Sequence, residues 1–295
     1  LAHTPPSARR LRRGLRALRR VRAMKFRLTA KEPGTALELL KTLEVPADRL
    51  RRQLKLREVK VNGARISADC PVRPGDTVEI FVPEAFVRAA APQVVFEADG
   101  LIVADKPAGL DTFRAAEQLG VYPAHRLDRN TSGLMLFARS HAAKAAAERA
   151  FAGHKIDKYY YALVTGEVAA GGTAVTYMGK DAAAAYVRVS DTPKAGYVRA
   201  VTEYEPTERI MAGDGVYTVV RVKLVTGRTH QIRAFFAHIG HPLAGDGKYG
   251  GGRGGQRLVA YRLVIGDAGL KSADGRTFEL PPDECRRRLG LDKSE

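Results

Sequence analysis

One aspartate in the sequence is surrounded by residues that could carry chemistry. Asp128 lies within the run HRLDRNTSG, residues 125–133, with one arginine two positions before it and another directly after it. A carboxylate between two guanidinium groups is expected to stay ionised near neutral pH. It could then act as a nucleophile or stabilise a developing positive charge. The alternative is a turn aspartate that bonds to Thr131 and Ser132, and the local sequence taken alone favours this alternative.

A second candidate, Arg228, belongs to the run TGRTHQIR at residues 226–233. Thr229 is predicted to cap a helix that ends at Gly240. The apolar face of this helix repeats at Ile232, Phe235, Phe236 and Ile239. The positive end of a helix dipole favours anions, so a guanidinium just ahead of it requires a nearby carboxylate or phosphate. The alternative is an ordinary surface ion pair.

Three histidines near this helix invite a metal interpretation, which the sequence does not support. Gly240 and Pro242 break the helix on which two of His230, His238 and His241 would align, and no pair of cysteines accompanies them. The glycine-rich stretch 245–255 lacks the Gly-Lys-Ser/Thr ending of a phosphate loop. Neither a metal site nor a nucleotide phosphate site is predicted here.

The composition points to a polyanionic partner. The 295 residues include 49 Lys and Arg against 32 Asp and Glu, a formal charge of +17. Eight arginines and no acidic residue occur in residues 1–23, yet without them the chain still carries +9. This balance favours nucleic acid over a membrane surface. With 45% hydrophobic residues, no long apolar run and two distant cysteines, a globular cytoplasmic protein is predicted.

Changes in composition along the chain predict five segments. They are a basic arm (1–23), a small α+β domain (24–83), an Ala- and Pro-rich linker (84–92), a large domain (93–282) and a C-terminal tail (283–295). The arm admits three interpretations: a nucleic-acid-binding tail, a transit peptide, or a start site placed upstream of Met24. The third is favoured, and the arm is expected to carry little of the function.

The small domain is predicted to bind RNA. Asp48 is expected to cap a helix that runs through Leu56, and Asn62-Gly63 is a strong hairpin signal. The basic helix and hairpin resemble the alpha-L RNA-binding motif of ribosomal proteins, whereas the alternative is a solvated basic face. The predicted RNA-binding residues are Arg49, Arg51, Arg52, Lys55, Arg57 and Lys60.

Strands outnumber helices in the large domain. Predicted strands include 94–96, 101–103, 134–138, 159–164, 217–225 and 257–265, and Ser140 is expected to cap an Ala-rich helix. Few crossover helices are available to link parallel strands, so a mixed, mainly antiparallel sheet of the α+β class is predicted.

Four motifs together resemble the RluA family of RNA pseudouridine synthases. They are DKPAGL (105–110), HRLDRNTSGLMLFAR (125–139), KYYYALVTGEV (158–168) and TGRTHQIRAFFAHIGHPLAGD (226–246). They stand in the family order and, with Tyr249-Gly250, span about Val94 to Pro282. The resemblance implies the pseudouridine synthase type of catalytic fold, behind an RNA-binding domain that many members share.

The resemblance also implies roles for individual residues. Asp128 would be the catalytic aspartate, Arg228 its basic partner and Tyr160 the active-site tyrosine.

Three further residues would contact the substrate or support its site. Arg126 would fill the gap that a flipped nucleotide leaves, and Ile232 would line the pocket behind the base. His125 is expected to hold the loop through hydrogen bonds.

The implied reaction is isomerisation of specific uridines to pseudouridine in ribosomal or transfer RNA. It would require no metal, redox cofactor or ATP, and the protein is expected to be a monomer with RNA, and no membrane, as its partner. One alternative is a non-catalytic RNA-binding or ribosome-assembly factor on the same fold. Another is a glycosylase that releases uracil, since fold alone does not separate these activities.

Overall fold

The computed structural model describes two compact units. The units are Leu1–Ala90 and Ala91–Glu295. The described residues are 23–43, 45, 47–83, 91–181 and 186–291. The boundary between the units falls inside the segment that the sequence predicts as a linker. Nearly all of the basic arm and most of the linker lie outside the described residues.

The small unit combines a twisted antiparallel sheet with two short helices. Its elements are β1 (Ala23–Thr29), β2 (Gly34–Thr35), α1 (Ala36–Leu40), α2 (Ala47–Lys55), β3 (Val59–Val61), β4 (Ala64–Ile66), β5 (Pro71–Val72) and β6 (Thr77–Pro83). The main sheet has the order β1-β6-β3-β4, and β2 pairs with β5. The predicted hairpin is confirmed: Asn62 and Gly63 join β3 to β4 with φ angles of +50° and +82°. Positive φ at both turn residues matches the right-handed twist of the flanking strands.

Helix α2 is the predicted basic helix, but its limits differ from the prediction. It begins at Ala47, so Asp48 lies in the first turn rather than at the N-cap, and it ends at Lys55. Leu50 and Leu54, four residues apart, are buried in the core of the small unit. The opposite face of the helix is therefore left for its arginines and lysine.

The large unit is built around one eleven-stranded sheet. Its strands are β7 (Gln93–Ala98), β8 (Leu101–Lys106), β9 (Tyr122–Pro123), β10 (Ser132–Ala138), β11 (Ile156–Thr165), β12 (Gly172–Asp181), β13 (Tyr186–Ser190), β14 (Val198–Ala212), β15 (Gly215–Leu224), β16 (Leu258–Ile265) and β17 (Thr277–Glu279). Its helices are α3 (Thr112–Leu119), α4 (His141–Ala152), α5 (Gln231–His238) and α6 (Pro282–Leu289). Ser140 caps α4, as predicted, by accepting a hydrogen bond from the Ala143 N–H.

The sheet is mixed and mainly antiparallel, which confirms the predicted fold class. The main path is β13-β12-β14-β15-β11-β16-β10-β8-β7, with β17 on β16 and β9 on β10. Among these pairs, β10 and β16 run parallel. No helix in the described part of the chain is long and apolar enough to cross a membrane.

Strand β10 lies at the centre of the core. All seven of its residues are buried. Leu134 and Leu136 join a cluster that includes Ala147 of α4. Met135 and Phe137 are also fully buried, and because successive strand residues point to opposite faces, β10 is covered on both sides.

The segment that the sequence predicts as a C-terminal tail begins within helix α6, which packs into the core. Cys285 and Leu289, four residues apart, are each 2% exposed. Arg288 donates two hydrogen bonds to the carboxylate of Asp105, at 2.7 and 2.6 Å. The three consecutive arginines, Arg286 to Arg288, make the segment look solvated in the sequence. Asp105, the partner of Arg288, lies on β8, and a separation of 183 positions hides this contact in the sequence.

A glycine permits the close approach of β10 and β16. Gly133 has a φ of +120°, and a β-carbon there would lie 2.1 Å from the carbonyl oxygen of Ala260. Any larger residue would push the parallel strands apart at the point where the Asp128 loop enters the sheet. This position therefore couples the sheet to the loop.

We expect Gly133→Ala to lower the free energy of unfolding by about 3 kcal/mol, because backbone atoms must move to admit a methyl group. Urea unfolding followed by circular dichroism measures the change. Gly172→Ala is the matched control, since a β-carbon at that position meets nothing within 4 Å. Equal unfolding midpoints for the two variants would show that this close approach does not constrain the fold.

Candidate active site

Asp128 lies in the loop that leads into β10. Its backbone carbonyl accepts a hydrogen bond from the Thr131 N–H at 3.0 Å, so the turn is closed by the backbone. The Oδ2 atom of its side chain accepts a hydrogen bond from Arg233 Nη1 at 2.9 Å. The carboxylate therefore faces helix α5.

Arg233 joins two carboxylates. Besides its bond to Asp128, it donates from Nε and Nη2 to Asp246, at 2.6 and 2.9 Å. Burial alone would lower the pKa of Arg233, but the bonds to Asp246 and Asp128 raise it overall. As the third residue of α5, its positive charge faces the positive end of the helix dipole. The two carboxylates offset that unfavourable placement.

The prediction that Arg228 pairs with Asp128 is wrong. The side chain of Arg228 is exposed, and its Nε donates to the backbone carbonyl of Arg199 at 3.0 Å. Arg233, five residues further along, holds the aspartate instead. A cation at this helix start does require an anion, and the cation that Asp128 neutralises is Arg233 and not Arg228.

The backbone at the start of α5 differs from the prediction, and this difference explains why the sequence indicated the wrong arginine. The helix begins at Gln231, and the residue before it, His230, has a left-handed φ of +52°. The predicted cap by Thr229 is therefore wrong. Instead, Gln231 Oε1 accepts hydrogen bonds from the Arg228 N–H and the Thr226 hydroxyl, each at 2.9 Å. A side chain inside the helix thus organises the loop ahead of it.

A cavity of about 450 Å³ opens beside Asp128. The lining includes Arg126, Asp128, Lys158, Tyr160, Arg228 and His230. Four of the six predicted catalytic and substrate-contact residues are in this set, and His125 also lines the cavity. Ile232 is only 3% exposed, and it is not among the described residues that line this cavity.

Tyr160 is held on β11 at a bulge. The register between β11 and β16 shifts between Tyr159 and Tyr160, where the extra residue, Tyr261, belongs to β16, while β11 keeps a regular pairing with β15. Tyr160 is 5% exposed, and burial, together with the nearby charge of Asp128, raises its pKa well above the ordinary value. The phenol therefore keeps its proton at neutral pH.

His125 supports the loop, as predicted. Its Nε2 accepts a hydrogen bond from the Leu136 N–H at 3.0 Å, and its ring lies 4.7 Å from that of Phe151. Burial, with a smaller contribution from the charge of Lys158, lowers the pKa of His125 to about 3. The imidazole is therefore neutral in the folded protein.

Lys158 is a cavity residue that the sequence interpretation did not select. Burial lowers its pKa, and its Nζ lies 5.3 Å from the centre of the Phe151 ring. It stands two positions before Tyr160 on β11, and residues two apart share one face of a strand. That spacing was the signal that could have placed it beside the tyrosine.

A buried lysine fixes the backbone around the Asp128 loop. Lys106 is fully buried, and its Nζ donates to the carbonyls of Pro107, Leu110 and Arg129, at 2.9, 2.8 and 3.3 Å. Burial lowers the pKa of Lys106 to about 8. The ammonium thus connects the end of β8 to the residue that follows Asp128.

The six predicted RNA-binding residues belong to the small unit. Arg49, Arg51, Arg52 and Lys55 lie on α2, Arg57 follows it and Lys60 lies on β3. Arg51, Arg52, Lys55 and Arg57 are exposed. Their placement on one short helix and its end gives a basic surface, and their contact with RNA stays a prediction.

Comparison with known proteins identifies the family. Residues 100–238 match the family model described as RNA pseudouridylate synthase. Ribosomal large subunit pseudouridine synthase D of Xylella fastidiosa is 32% identical over 237 residues, which cover 70% of this chain and 68% of that protein. Ribosomal large subunit pseudouridine synthase C of Vibrio cholerae is 31% identical over 253 residues, or 75% and 76% of the two chains.

A solved structure supports the same fold. Human RNA pseudouridylate synthase domain containing 1 superposes with a TM-score of 0.55 and 22% identity, covering 70% of this chain and 97% of that one. The fold and the sequence relatives agree with the motifs. The chain belongs to the RluA family of RNA pseudouridine synthases, which are isomerases.

We expect Arg233→Lys to reduce pseudouridine formation by about 100-fold or more, because an ammonium cannot bridge Asp128 and Asp246 as a guanidinium fork does. Arg228→Lys is the matched control and should stay within about 10-fold of the wild type, since it keeps an exposed charge. Single-turnover rates at saturating RNA compare the two. The reverse ranking would mean that Arg228 is the functional partner.

We expect His125 to make the protein less stable in acid. Its pKa in the folded state, about 3, lies below the ordinary value of 6.5. The unfolded chain therefore binds this proton first, and stability falls by about 1.4 kcal/mol per pH unit between these values. His125→Gln cannot titrate but offers an acceptor to Leu136, so its stability should fall less between pH 7 and pH 5. Denaturant unfolding at both pH values measures the change. An equal loss of stability in the wild type and in His125→Gln would contradict this expectation.

Proposed function

We propose that this protein converts uridine to pseudouridine within ribosomal RNA, with Asp128 as the catalytic residue. The observation that carries the proposal is the position of the carboxylate. Its Oδ2 is bonded to Arg233, while the residue lines a cavity that also presents the cationic side chains of Arg126, Lys158 and Arg228. A polyanionic substrate fits those charges, and Oδ1 is the oxygen left to react.

The reaction requires only the rearrangement of one nucleoside. The bond between C1′ and N1 breaks, uracil rotates, and a bond forms between C5 and C1′ while C5 loses its proton and N1 gains one. Substrate and product have the same composition, so the balance calls for no metal, redox cofactor or ATP. Asp128 either attacks C1′ or removes the proton from C2′ to give a glycal, and both routes use a carboxylate oxygen.

Tyr160 is proposed to pack against the uracil ring. A phenol whose pKa is raised by burial is a poor base at neutral pH, so contact with the base suits it better than removal of the C5 proton. Uracil must leave its stack to reach the cavity, at a cost of a few kcal/mol. Arg126, which is exposed at the cavity, is proposed to occupy the vacated place in the RNA.

Two cationic side chains are suited to hold the RNA backbone at the cavity. Lys158 and Arg228 line it, and their charges favour phosphate groups. The exposed arginines of α2 are proposed to add phosphate contacts from the small unit, as an alpha-L type RNA-binding module would. Ribosomal RNA of the large subunit is proposed as the substrate because the similar proteins from Xylella fastidiosa and Vibrio cholerae carry that designation.

We expect Asp128→Asn to lose all detectable pseudouridine formation while it keeps its fold and RNA affinity, because an amide can neither attack C1′ nor accept the C2′ proton. Asp191→Asn is the matched control, since Asp191 is exposed and pairs with His238 at the other end of α5. Mapping pseudouridine in ribosomal and transfer RNA incubated with each variant gives the readout.

The same experiment distinguishes the alternatives. Turnover by Asp128→Asn would remove this residue from the mechanism. A wild-type protein that binds RNA without forming pseudouridine would instead be a binding or assembly factor. Release of free uracil would indicate a glycosylase, and modification confined to transfer RNA would change the substrate.

A further inference from the structure

A tyrosine and a histidine connect β13 to the catalytic loop. Tyr249 is 5% exposed, and its hydroxyl accepts a hydrogen bond from the Val187 N–H at 3.1 Å. The same hydroxyl lies 2.9 Å from His230 Nδ1. The two rings meet edge to face, with centroids 5.7 Å apart. His230 is thus held by a buried partner on the side away from Asp128.

This contact selects one tautomer of His230. Tyr249 already accepts the Val187 N–H, so donating its own proton to His230 Nδ1 satisfies the phenol completely. The imidazole is neutral, since burial lowers the pKa of His230. Its single proton must then be on Nε2. The other tautomer would direct a lone pair on Nε2 toward the carboxylate of Asp128.

The proton on Nε2 lies close to the oxygen that is left to react. His230 Nε2 is 3.9 Å from Asp128 Oδ1, whereas Oδ2 is bonded to Arg233. This distance is too long for a hydrogen bond, but catalytic contacts of this kind often shorten when the substrate is bound. The guanidinium of Arg233 also lies 5.1 Å from the Tyr249 ring centre, so the same tyrosine contacts both neighbours of Asp128.

We propose that His230, fixed by Tyr249 in its Nε2–H tautomer, is a positioning residue that donates a hydrogen bond to Asp128 Oδ1 when uridine is bound. This inference rests on the proposed function, since it assigns a task to the neighbour of the catalytic oxygen. Arg233 would orient one oxygen of the carboxylate and His230 the other. A rotation that turned Oδ1 away from C1′ or C2′ would then break a hydrogen bond.

Two substitutions at one position separate this role from a backbone role. By side-chain length, glutamine places an amide N–H near the position of Nε2, and asparagine places one near Nδ1. Asparagine tolerates the left-handed φ of +52° better than glutamine does. We expect His230→Gln to stay within about 10-fold of the wild-type single-turnover rate, and His230→Asn to lose about 100-fold, the usual effect of removing one aligned donor. If the backbone conformation were what mattered, asparagine would be the better residue.

The experiment uses the full chain, unmodified large-subunit ribosomal RNA carrying tritium at C5 of uridine, and tritium release as the measurement. The same two substitutions at His238, at the other end of α5, serve as controls and should not change the rate. An asparagine variant as active as the glutamine variant, or equal loss in both, would overturn the proposal. No tritium release by the wild type would refute the proposed function instead.

Tyr249→Phe tests how the tautomer is set. In the wild-type background this change should lower the rate about 10-fold, because the imidazole is then free to place its proton on Nδ1. In the His230→Gln background it should change the rate less than about 2-fold, since an amide has no tautomers to select. The loss of the Val187 contact is common to both backgrounds and cancels. An equal loss in both would remove Tyr249 from the proposed role.

Discussion

The proposed active site depends on one buried guanidinium that holds two carboxylates. Arg233 bonds to Asp128 at 2.9 Å and to Asp246 at 2.6 and 2.9 Å, although Asp128 lies 105 positions away in the sequence. Removing the guanidinium would leave two carboxylates without their cation, and loss of one partner of a buried ion pair typically costs about 3–5 kcal/mol. Two carboxylates on one cation also leave the group with a net negative charge. Since Asp246 is engaged through both oxygens, that charge is available chiefly at Asp128 Oδ1.

The rest of the fold brings these groups together and keeps them there. Lys106 ties the end of β8 to the carbonyl of Arg129, and the Thr112 hydroxyl bonds to both the N–H and the carbonyl of Leu127. The Asp128 loop is therefore fixed through its backbone on both sides. The side chain of Asp128 is held by Arg233 of α5, and Gln231 organises the start of that helix. The Asp128 loop is anchored to the sheet, and the cation, Arg233, lies on a helix that is distant in the sequence.

The sequence was sufficient where local chemistry decides the structure. The Asn62-Gly63 hairpin, the Ser140 cap and the mainly antiparallel sheet follow from turn residues, capping and alternation, and all are confirmed. The sequence was insufficient where the tertiary structure decides which partner a long side chain contacts. The sequence predicts Arg228 as the anion partner, whereas Arg233 is the residue bonded to Asp128, and Gln231 bonds back to Thr226 at the start of the helix. Likewise, α6 packs on the core through Cys285 and Leu289, and its Arg288 bonds to Asp105 across 183 positions.

Under the proposed function, the buried and the exposed cations of the site have different tasks in RNA binding. Arg233 is 9% exposed at its side chain and is fully engaged by carboxylates, so it contributes little to attraction at a distance. Arg126 and Arg228 are exposed at the same cavity, where phosphates can displace their counterions. If Arg228 were bonded to Asp128, the cavity would lose one of the charges that attract the substrate. Under the proposed function, Arg233 orients Asp128 and the exposed arginines bind the RNA, so affinity for RNA should depend on salt concentration while the geometry at Asp128 should not.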